Sequence, residues 1–149
     1  MTDAPAITVI NQIKAALETI REDDGFHTDA GREVVRGFLS HAIKATDKRH
    51  PFIVIQTDSE GLDTPGTLQG KVALSLTLFV VDKSDHPDRL QSAVSDLRKA
   101  LVALEFTRGT AITGSLTTAP AAYNPNPESN FSLAALPVTV NFMETYAGE

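Results

Sequence analysis

The sequence contains no cysteine and no tryptophan, and aromatic residues make up only 6% of its 149 residues. Without cysteine the chain can form neither disulfides nor thiolate metal sites. Its longest apolar-rich run, residues 72–81, spans about ten residues, whereas a membrane-spanning helix needs roughly 20. The N-terminus has no basic start followed by an apolar stretch, so no signal peptide is predicted. These absences predict a cytoplasmic product with no membrane partner.

Positive charge is also scarce. The chain has 13 Lys and Arg against 19 Asp and Glu, a formal net charge of -6. The densest basic group is Lys44, Lys48 and Arg49, and no aromatic residue lies between them. Because binding to nucleic acid through its phosphates needs clustered cations, the sequence argues against a nucleic-acid-binding protein. Like charge instead allows DNA to pass such a surface without sticking.

The remaining composition is that of an ordinary globular protein, with 42% hydrophobic and 21% charged residues. At this length we expect one domain, residues 1–149. Two segments have apolar residues in steps of three and four, which predicts amphipathic helices. The stripes are Ile7, Ile10, Ile13, Leu17 and Ile20, and Leu90, Val94, Leu97, Leu101 and Leu104. Pro5 and Ser84-Asp85-His86-Pro87 are helix starts, and Arg89, Arg98 and Lys99 lie off the second stripe, facing solvent or a partner.

Strands are predicted where apolar residues alternate or β-branched residues dominate. The clearest is Lys71 to Asp82, with one purely aliphatic face and a mixed second face. Phe52 to Thr57 precedes a predicted loop from Asp58 to Gly70. The closing strand, Phe131 to Tyr146, contains Pro137, which predicts an edge or a free end. Phe26 to Ser40 favours short extended pieces around a turn, with a helix over its second half as the alternative.

These elements predict an α+β fold: a mainly antiparallel sheet with two amphipathic helices packed on one face. Between residues 107 and 130 the chain loses periodicity, which predicts a long irregular loop with a short strand at Ala111 to Leu116. The sheet face without helices would carry Ser75, Thr77, Phe79, Thr139 and Asn141.

No catalytic constellation is evident. Metal-ligand spacing is absent among the four histidines, His27, His41, His50 and His86, and the chain lacks HExxH, GxSxG, Walker and GxGxxG motifs. His27 and Asp29 are best interpreted as a polar strand end, and Asp23-Asp24-Gly25 as a solvated turn. Asp58, Glu60 and Asp63 could hold a cation weakly, although a charged loop is the better interpretation. We therefore predict that the protein is not an enzyme and binds neither a cofactor nor a metal ion.

The positive signals concern assembly. A half-apolar second sheet face, a long loop rich in Pro, Thr and Ala, and an edge strand are typical of chains that bind other chains. The candidate assembly contacts are Ser75, Thr77, Phe79, Thr139, Asn141 and Tyr123.

The order of elements resembles a known family. ITVINQIKAALETI opens the chain and PFIVIQT follows a short polar stretch. KVALSLTLFVVDKSDHPDRL then leads into SAVSDLRKALVAL, and LPVTVNFMETY closes the chain. Over residues 7–146 this layout resembles the tail terminator, or tail completion, proteins of tailed bacteriophages.

The resemblance implies a structural virion protein of the tail neck, made in the host cytoplasm. Its partners would be further copies of itself in a ring, usually a hexamer, the tail tube protein, the head-tail connector or stopper protein and, in a contractile tail, the sheath. Such a ring caps the tail tube, ends tube polymerisation and provides the head-to-tail joining surface. DNA would pass through the lumen without specific binding.

Two other interpretations stay open at this point. One is a head-side completion or stopper protein of the neck. The other is an unrelated cytoplasmic ligand-binding or enzymatic domain, which predicts a concave pocket that gathers His27, His41 and Asp29.

Overall fold

The computed structural model describes residues 4–42, 50–65, 69–83, 87–102, 114–125 and 131–145. Helix α1 spans Pro5–Leu17, with proline in its first turn and Val9, Ile10, Ile13 and Leu17 buried. Helix α3 spans Pro87–Val102 and buries the predicted stripe from Leu90 to Leu101. Both predicted helices are therefore confirmed, although Ile7 is 36% exposed. Leu104 and Ser84 to His86 lie outside the described residues.

The segment after α1 is compact and mostly irregular. A 3-10 turn at Glu22–Asp24 ends at Gly25, whose φ of 91° is the left-handed conformation that glycine favours. A second 3-10 turn, Ala30–Arg32, contains Gly31, where a Cβ would stand 2.5 Å from the Leu17 carbonyl oxygen. The chain then forms strand β1, Val34–Arg36, and a short helix α2, Leu39–Ala42. The extended piece occurs as predicted, whereas the alternative of a helix over the second half of residues 26–40 is wrong, because β1 lies in that half and α2 begins only at Leu39.

The sheet is built on three long strands: β2, Phe52–Pro65, β3, Gln69–Lys83, and β6, Phe131–Thr145. The strand order is β1-β2-β3-β6-β4, where β4 is Gly114–Thr118, and β5, Ala122–Pro125, also pairs with β6. All pairs are antiparallel except β1 with β2. Together with the helices, this arrangement confirms the predicted α+β class.

The predicted loop from Asp58 to Gly70 is wrong over most of its length, because β2 continues to Pro65 and β3 begins at Gln69. Two register shifts, between Thr57 and Ser59 and between Leu62 and Thr64, let the polar segment keep its pairing. A bulge inserts one extra residue without ending the strand. The acidic and glycine residues that indicated a loop are tolerated because this part of β2 is a sheet edge.

The prediction that Pro137 places the closing strand at an edge is also wrong, because β6 lies between β3 and the β4–β5 pair. The Pro137 carbonyl accepts a hydrogen bond from the Ala119 N–H at 2.9 Å. Since the N and O of one residue point to the same side of a strand, the proline nitrogen faces this side too. Here residues 119–121 separate β4 from β5, so the missing N–H falls at a gap in the ladder.

Strands β4, Gly114–Thr118, and β5, Ala122–Pro125, lie inside the range that was predicted to be irregular. The prediction of a long loop over residues 107–130 is therefore wrong in its described part. Of the predicted short strand at Ala111 to Leu116, the described residues 114–116 belong to β4, which continues to Thr118. β4 pairs with residues 138–142 of β6 and β5 with residues 132–135. Pairing with β6 orders a segment that has little periodicity of its own.

The main core lies between α1, α3 and one face of the sheet. The aliphatic face of β3 and the matching face of β6 are at most 3% exposed. Those residues are Val72, Leu74, Leu76, Leu78, Val80, Ala134, Leu136, Val138, Val140 and Phe142. Burying such side chains stabilises the fold by roughly 1.5–3 kcal/mol each.

Two buried carboxylates connect helix α3 to the rest of the fold. Asp82, at the end of β3, accepts two 2.6 Å hydrogen bonds from Arg89 on α3 and one of 2.8 Å from the Lys83 N–H. Asp96 on α3 accepts hydrogen bonds from the backbone N–H groups of His27 and Thr28. The expectation that Arg89 faces solvent or a partner is therefore wrong, because its guanidinium is committed to Asp82.

Lys99 contributes to the fold as well. Its ammonium donates to the Gly25 carbonyl at 2.9 Å and lies 4.8 Å from the centre of the Phe26 ring. The long side chain thereby ties α3 to the turn after α1.

Candidate assembly surface

The sheet face opposite α1 and α3 carries five of the six predicted contacts. Ser75 stands directly opposite Thr139, Ala73 opposite Asn141 and Thr77 opposite Pro137. Ser75, Thr77, Phe79, Thr139 and Asn141 are all half-buried. We call this side of the sheet the open face. Its residues are brought together as predicted, and their role in assembly stays a prediction.

A row of hydroxyl groups crosses the open face. Ser59 of β2 pairs with Ser75 of β3, Ser75 with Thr139 of β6, and Thr139 with Thr117 of β4. Side chains directly opposite each other on neighbouring strands lie about 4.5–5.5 Å apart at their Cβ atoms. The sequence alone does not place Ser59 and Thr117 in this row, because their position depends on the register between strands that are distant in the chain.

Asp58 is the second feature that the sequence did not place. It sits at the first register shift of β2, where its carboxylate accepts hydrogen bonds from Thr77 and, at 3.0 Å, from the Gln56 amide. The Gln56 side-chain oxygen in turn accepts the Leu39 N–H of α2 at 3.1 Å. This network connects the open face to α2, so Asp58 orders the surface.

Phe79 differs from the other predicted contacts. It packs against a small second cluster of Phe52, Val54 and Val81, together with Leu39 and Leu133. Helix α2 therefore covers the end of the open face near Phe79. The surface that remains accessible is the part nearer Ser75, Thr139 and Asn141.

Tyr123 lies on the other side of the sheet. It pairs with Ala134, whose side chain belongs to the main core, and its own side chain is 42% exposed. Residues directly opposite in a ladder share a face, so Tyr123 stands on the helix side at the sheet edge. The structure thus separates it from the other five candidates.

The histidines do not form a site with Asp29. An open polar depression of about 420 Å³ is lined by Glu18, Arg21, Asp23, Asp24, Asp29 and Arg32. Asp29 is engaged by the Glu22 N–H at 2.9 Å and by Arg32 at 3.3 Å. His27 does not line it, and His41 lies on α2, edge-on to Phe38. Among the described residues there is no group of three or more His, Asp or Glu that could hold a metal ion.

His50 has a perturbed titration. Burial disfavours its charged form and lowers its pKa below the usual 6.5, and Lys83 and Arg89 act in the same direction against the raising effect of Asp82. Its ring packs edge-on against Phe52 with centroids 5.4 Å apart. Protonation of this histidine is therefore easier in the unfolded chain than in the folded one.

We expect the stability of the protein to fall as pH drops below about 6.5, because below this value the unfolded state binds the His50 proton more readily. Because the pKa of His50 is lowered by folding, the full contribution of the neutral His50 to the free energy of unfolding is present above pH 6.5 and is lost as the pH falls below this value. His50→Gln should show a smaller fall between pH 7.5 and 5.5, measured by urea denaturation at each pH. An unchanged difference between these two pH values would show that His50 does not contribute.

The fold is similar to that of a chain in the virion of a native gene transfer agent particle. The two share a TM-score of 0.57 and 13% sequence identity, over 95% of this chain and 96% of that chain. No protein-family model and no curated protein matches the sequence. At this identity the similarity is one of fold, and it extends over nearly the whole of both chains.

The described helices include none long and apolar enough to cross a membrane.

Proposed function

We propose that this chain is a structural protein of a virion, and specifically that it is a tail terminator. In this proposal it forms a ring, a hexamer as in the resembled family, that caps the tail tube, ends tube polymerisation and offers the head-to-tail joining surface. Its role is to assemble and not to catalyse a reaction.

One observation carries the proposal: the fold matches a virion chain over 95% of this protein and 96% of the other. A shared fold alone does not define a function. The second support is the order of helices and strands, which resembles the tail terminators along residues 7–146. The fold similarity supports a structural protein of a virion, and the tail terminator role rests on the resemblance in sequence.

The surfaces are compatible with that role. The open face offers hydroxyl and amide groups of Ser75, Thr139 and Asn141 for contact with neighbouring copies or with the tail tube protein. The net charge of -6 disfavours adhesion of DNA passing through the ring. The connector or stopper protein, and the sheath in a contractile tail, are the other proposed partners.

Deleting the gene from its virus tests the proposal. We expect electron micrographs of the lysate to show tails of irregular, extended length that are not joined to filled heads. Supplying the intact gene in trans should restore both tail length and joining. Normal tails joined to heads in the deletion mutant would contradict the proposal.

A pull-down distinguishes the tail terminator from a head-side protein of the neck. The purified chain should retain the tail tube protein when both are mixed with assembled tubes. Retention of the connector protein alone would favour the head-side role instead.

A further inference from the structure

One half of strand β2 has an outer edge that no described strand occupies. β1 pairs only with residues 53–55 of β2, whereas β2 continues to Pro65. On the far side of the sheet, β4 and β5 are bonded to β6 on their inner side alone. Each of these edges presents backbone N–H and C=O groups that a further strand could satisfy.

The directions of the strands determine how two copies could join. β2 is antiparallel to β3, β3 to β6, and β6 to both β4 and β5. β2 therefore runs opposite to β4 and β5. A second copy in the same orientation, with its β4–β5 edge beside β2, would extend the sheet by an antiparallel pair and keep all helices on one side.

Charge favours this pairing over the pairing of two β2 edges. The β2 edge carries exposed Asp58 and Glu60, and like charges on neighbouring strands are destabilising. The sequences of β4 and β5, GSLTT and AYNP, contain no charged residue. An acidic edge therefore meets a neutral one.

The position of β1 determines the register. Val34 of β1 and Tyr123 of β5 lie in the same cross-strand row, through Ile53, Val80 and Ala134. Two copies side by side at the same level would therefore bring β5 of one against β1 of the other. The neighbour must be displaced along the strands, toward the end of β2 at Pro65.

The size of that displacement follows from the same rows. Pro125 of β5 is level with Asp82, and Arg36 of β1 is level with Leu78. The next copy must therefore be displaced by about five residues along the strands for its β5 to pass β1. Because alternate residues face opposite sides of a sheet, an even displacement of about six residues keeps the open faces of both copies on the same side. In closed barrels the strands tilt by about 35–45° from the barrel axis. At this tilt, each unit of four strands is displaced along the strand direction by roughly four to six residues relative to the unit before it. The displacement that β1 requires is thus one that a closed ring also requires.

We propose that copies of this chain join through these edges, with residues 57–62 of β2 pairing antiparallel with the β5–β4 edge of the next copy. The contact is heterologous, so its repetition closes into a ring whose helices lie on one wall and whose open faces lie on the other. The inference deepens the proposed function and rests on it.

Engineered cysteines test this pairing, because the natural chain has no thiol. Gly61→Cys and Ala122→Cys place thiols on the exposed open-face side of the two edges, and a shift of six residues brings these two positions opposite each other. The two single variants, distinguished by a mass tag, are mixed over a range of concentrations and oxidised mildly. We expect a disulfide between the two different variants, and a ladder of cross-linked oligomers from the double variant.

The controls separate the alternatives. Gly61→Cys alone reports pairing of two β2 edges, and Ala122→Cys alone reports pairing of two β5 edges; both should stay uncross-linked. Thr117→Cys mixed with Ser59→Cys reports copies docked at the same level, and its yield should be at least about five-fold lower, as expected if cross-linking needs neighbouring strands within about 5 Å.

The same variants are also incorporated into particles in the producing host. Particles that contain the protein but yield no disulfide between positions 61 and 122 would overturn the edge pairing and leave the proposed function intact. Particles from which the protein is absent would overturn the proposed function. Absence of this disulfide from both particles and concentrated protein would also overturn the inference.

Discussion

Replacing Arg89 by methionine is expected to destabilise the protein by about 3 kcal/mol, because it leaves a buried carboxylate without its partner. Asp82 is fully buried, whereas the Arg89 side chain is 36% exposed. The two side chains make a bidentate pair of 2.6 Å hydrogen bonds, the geometry in which arginine binds carboxylates most strongly. Urea denaturation followed by circular dichroism measures the loss.

Two variants identify the cause of that loss. Arg98→Met removes an exposed arginine from the same helix and should change stability by less than about 0.5 kcal/mol. Asp82→Asn combined with Arg89→Met removes the charge as well as its partner, and should lose clearly less than the sum of the two single variants. Additive losses would show that the ion pair is not the reason for the effect.

Replacing Asp96 by alanine is expected to cost about 3–4 kcal/mol, since three donors lose one shared acceptor in the interior. The Asp96 carboxylate accepts the N–H of His27 at 2.9 Å, the N–H of Thr28 at 2.8 Å and the Thr28 hydroxyl at 2.7 Å. Both Asp96 and Thr28 are buried, so water cannot replace the lost contacts without opening the structure. Thermal unfolding and denaturant titration both measure the change.

The neighbouring residue on α3 provides the matched control. Ser95 is exposed, and Ser95→Ala should leave stability within about 0.5 kcal/mol of the natural protein. Hydrogen exchange adds a local measurement: in Asp96→Ala the amides of His27 and Thr28 should lose most of their protection. Protection that persists at these two amides would contradict the role assigned to Asp96.

The helices and the central strand were predictable because their signals are local. The steps of three and four in α1 and α3, and the alternation from Val72 to Val80, reflect contact with one core, and the described residues of these faces are buried except Ile7. The polar segment after Thr57 misled the prediction, because acidic and glycine residues are typical of loops and are also tolerated where a strand lies at the edge of a sheet. Pro137 misled it because a gap between β4 and β5 accommodates the missing N–H.

The candidate surface was predictable in part. Alternation alone placed Ser75, Thr77 and Phe79 on one side of β3, and the same reasoning placed Thr139 and Asn141 on one side of β6. It could not show that α2 covers the region of Phe79, since that contact joins segments far apart in the chain. Tyr123 was predicted as a contact on the long loop, and its pairing with Ala134 instead places it in a strand, on the side of the sheet opposite to the open face.

The sequence by itself determined the class of the fold, the faces of its helices and of β3, and the absence of thiol chemistry, because each depends on residue type and short-range spacing. Only the tertiary structure decided that β6 is central, that Asp96 holds the segment after α1 and that the hydroxyls of four strands form one row. These features depend on register and on contacts between residues such as Thr28 and Asp96, 68 positions apart. Spacing along the chain carries no information about such contacts until the strands are paired.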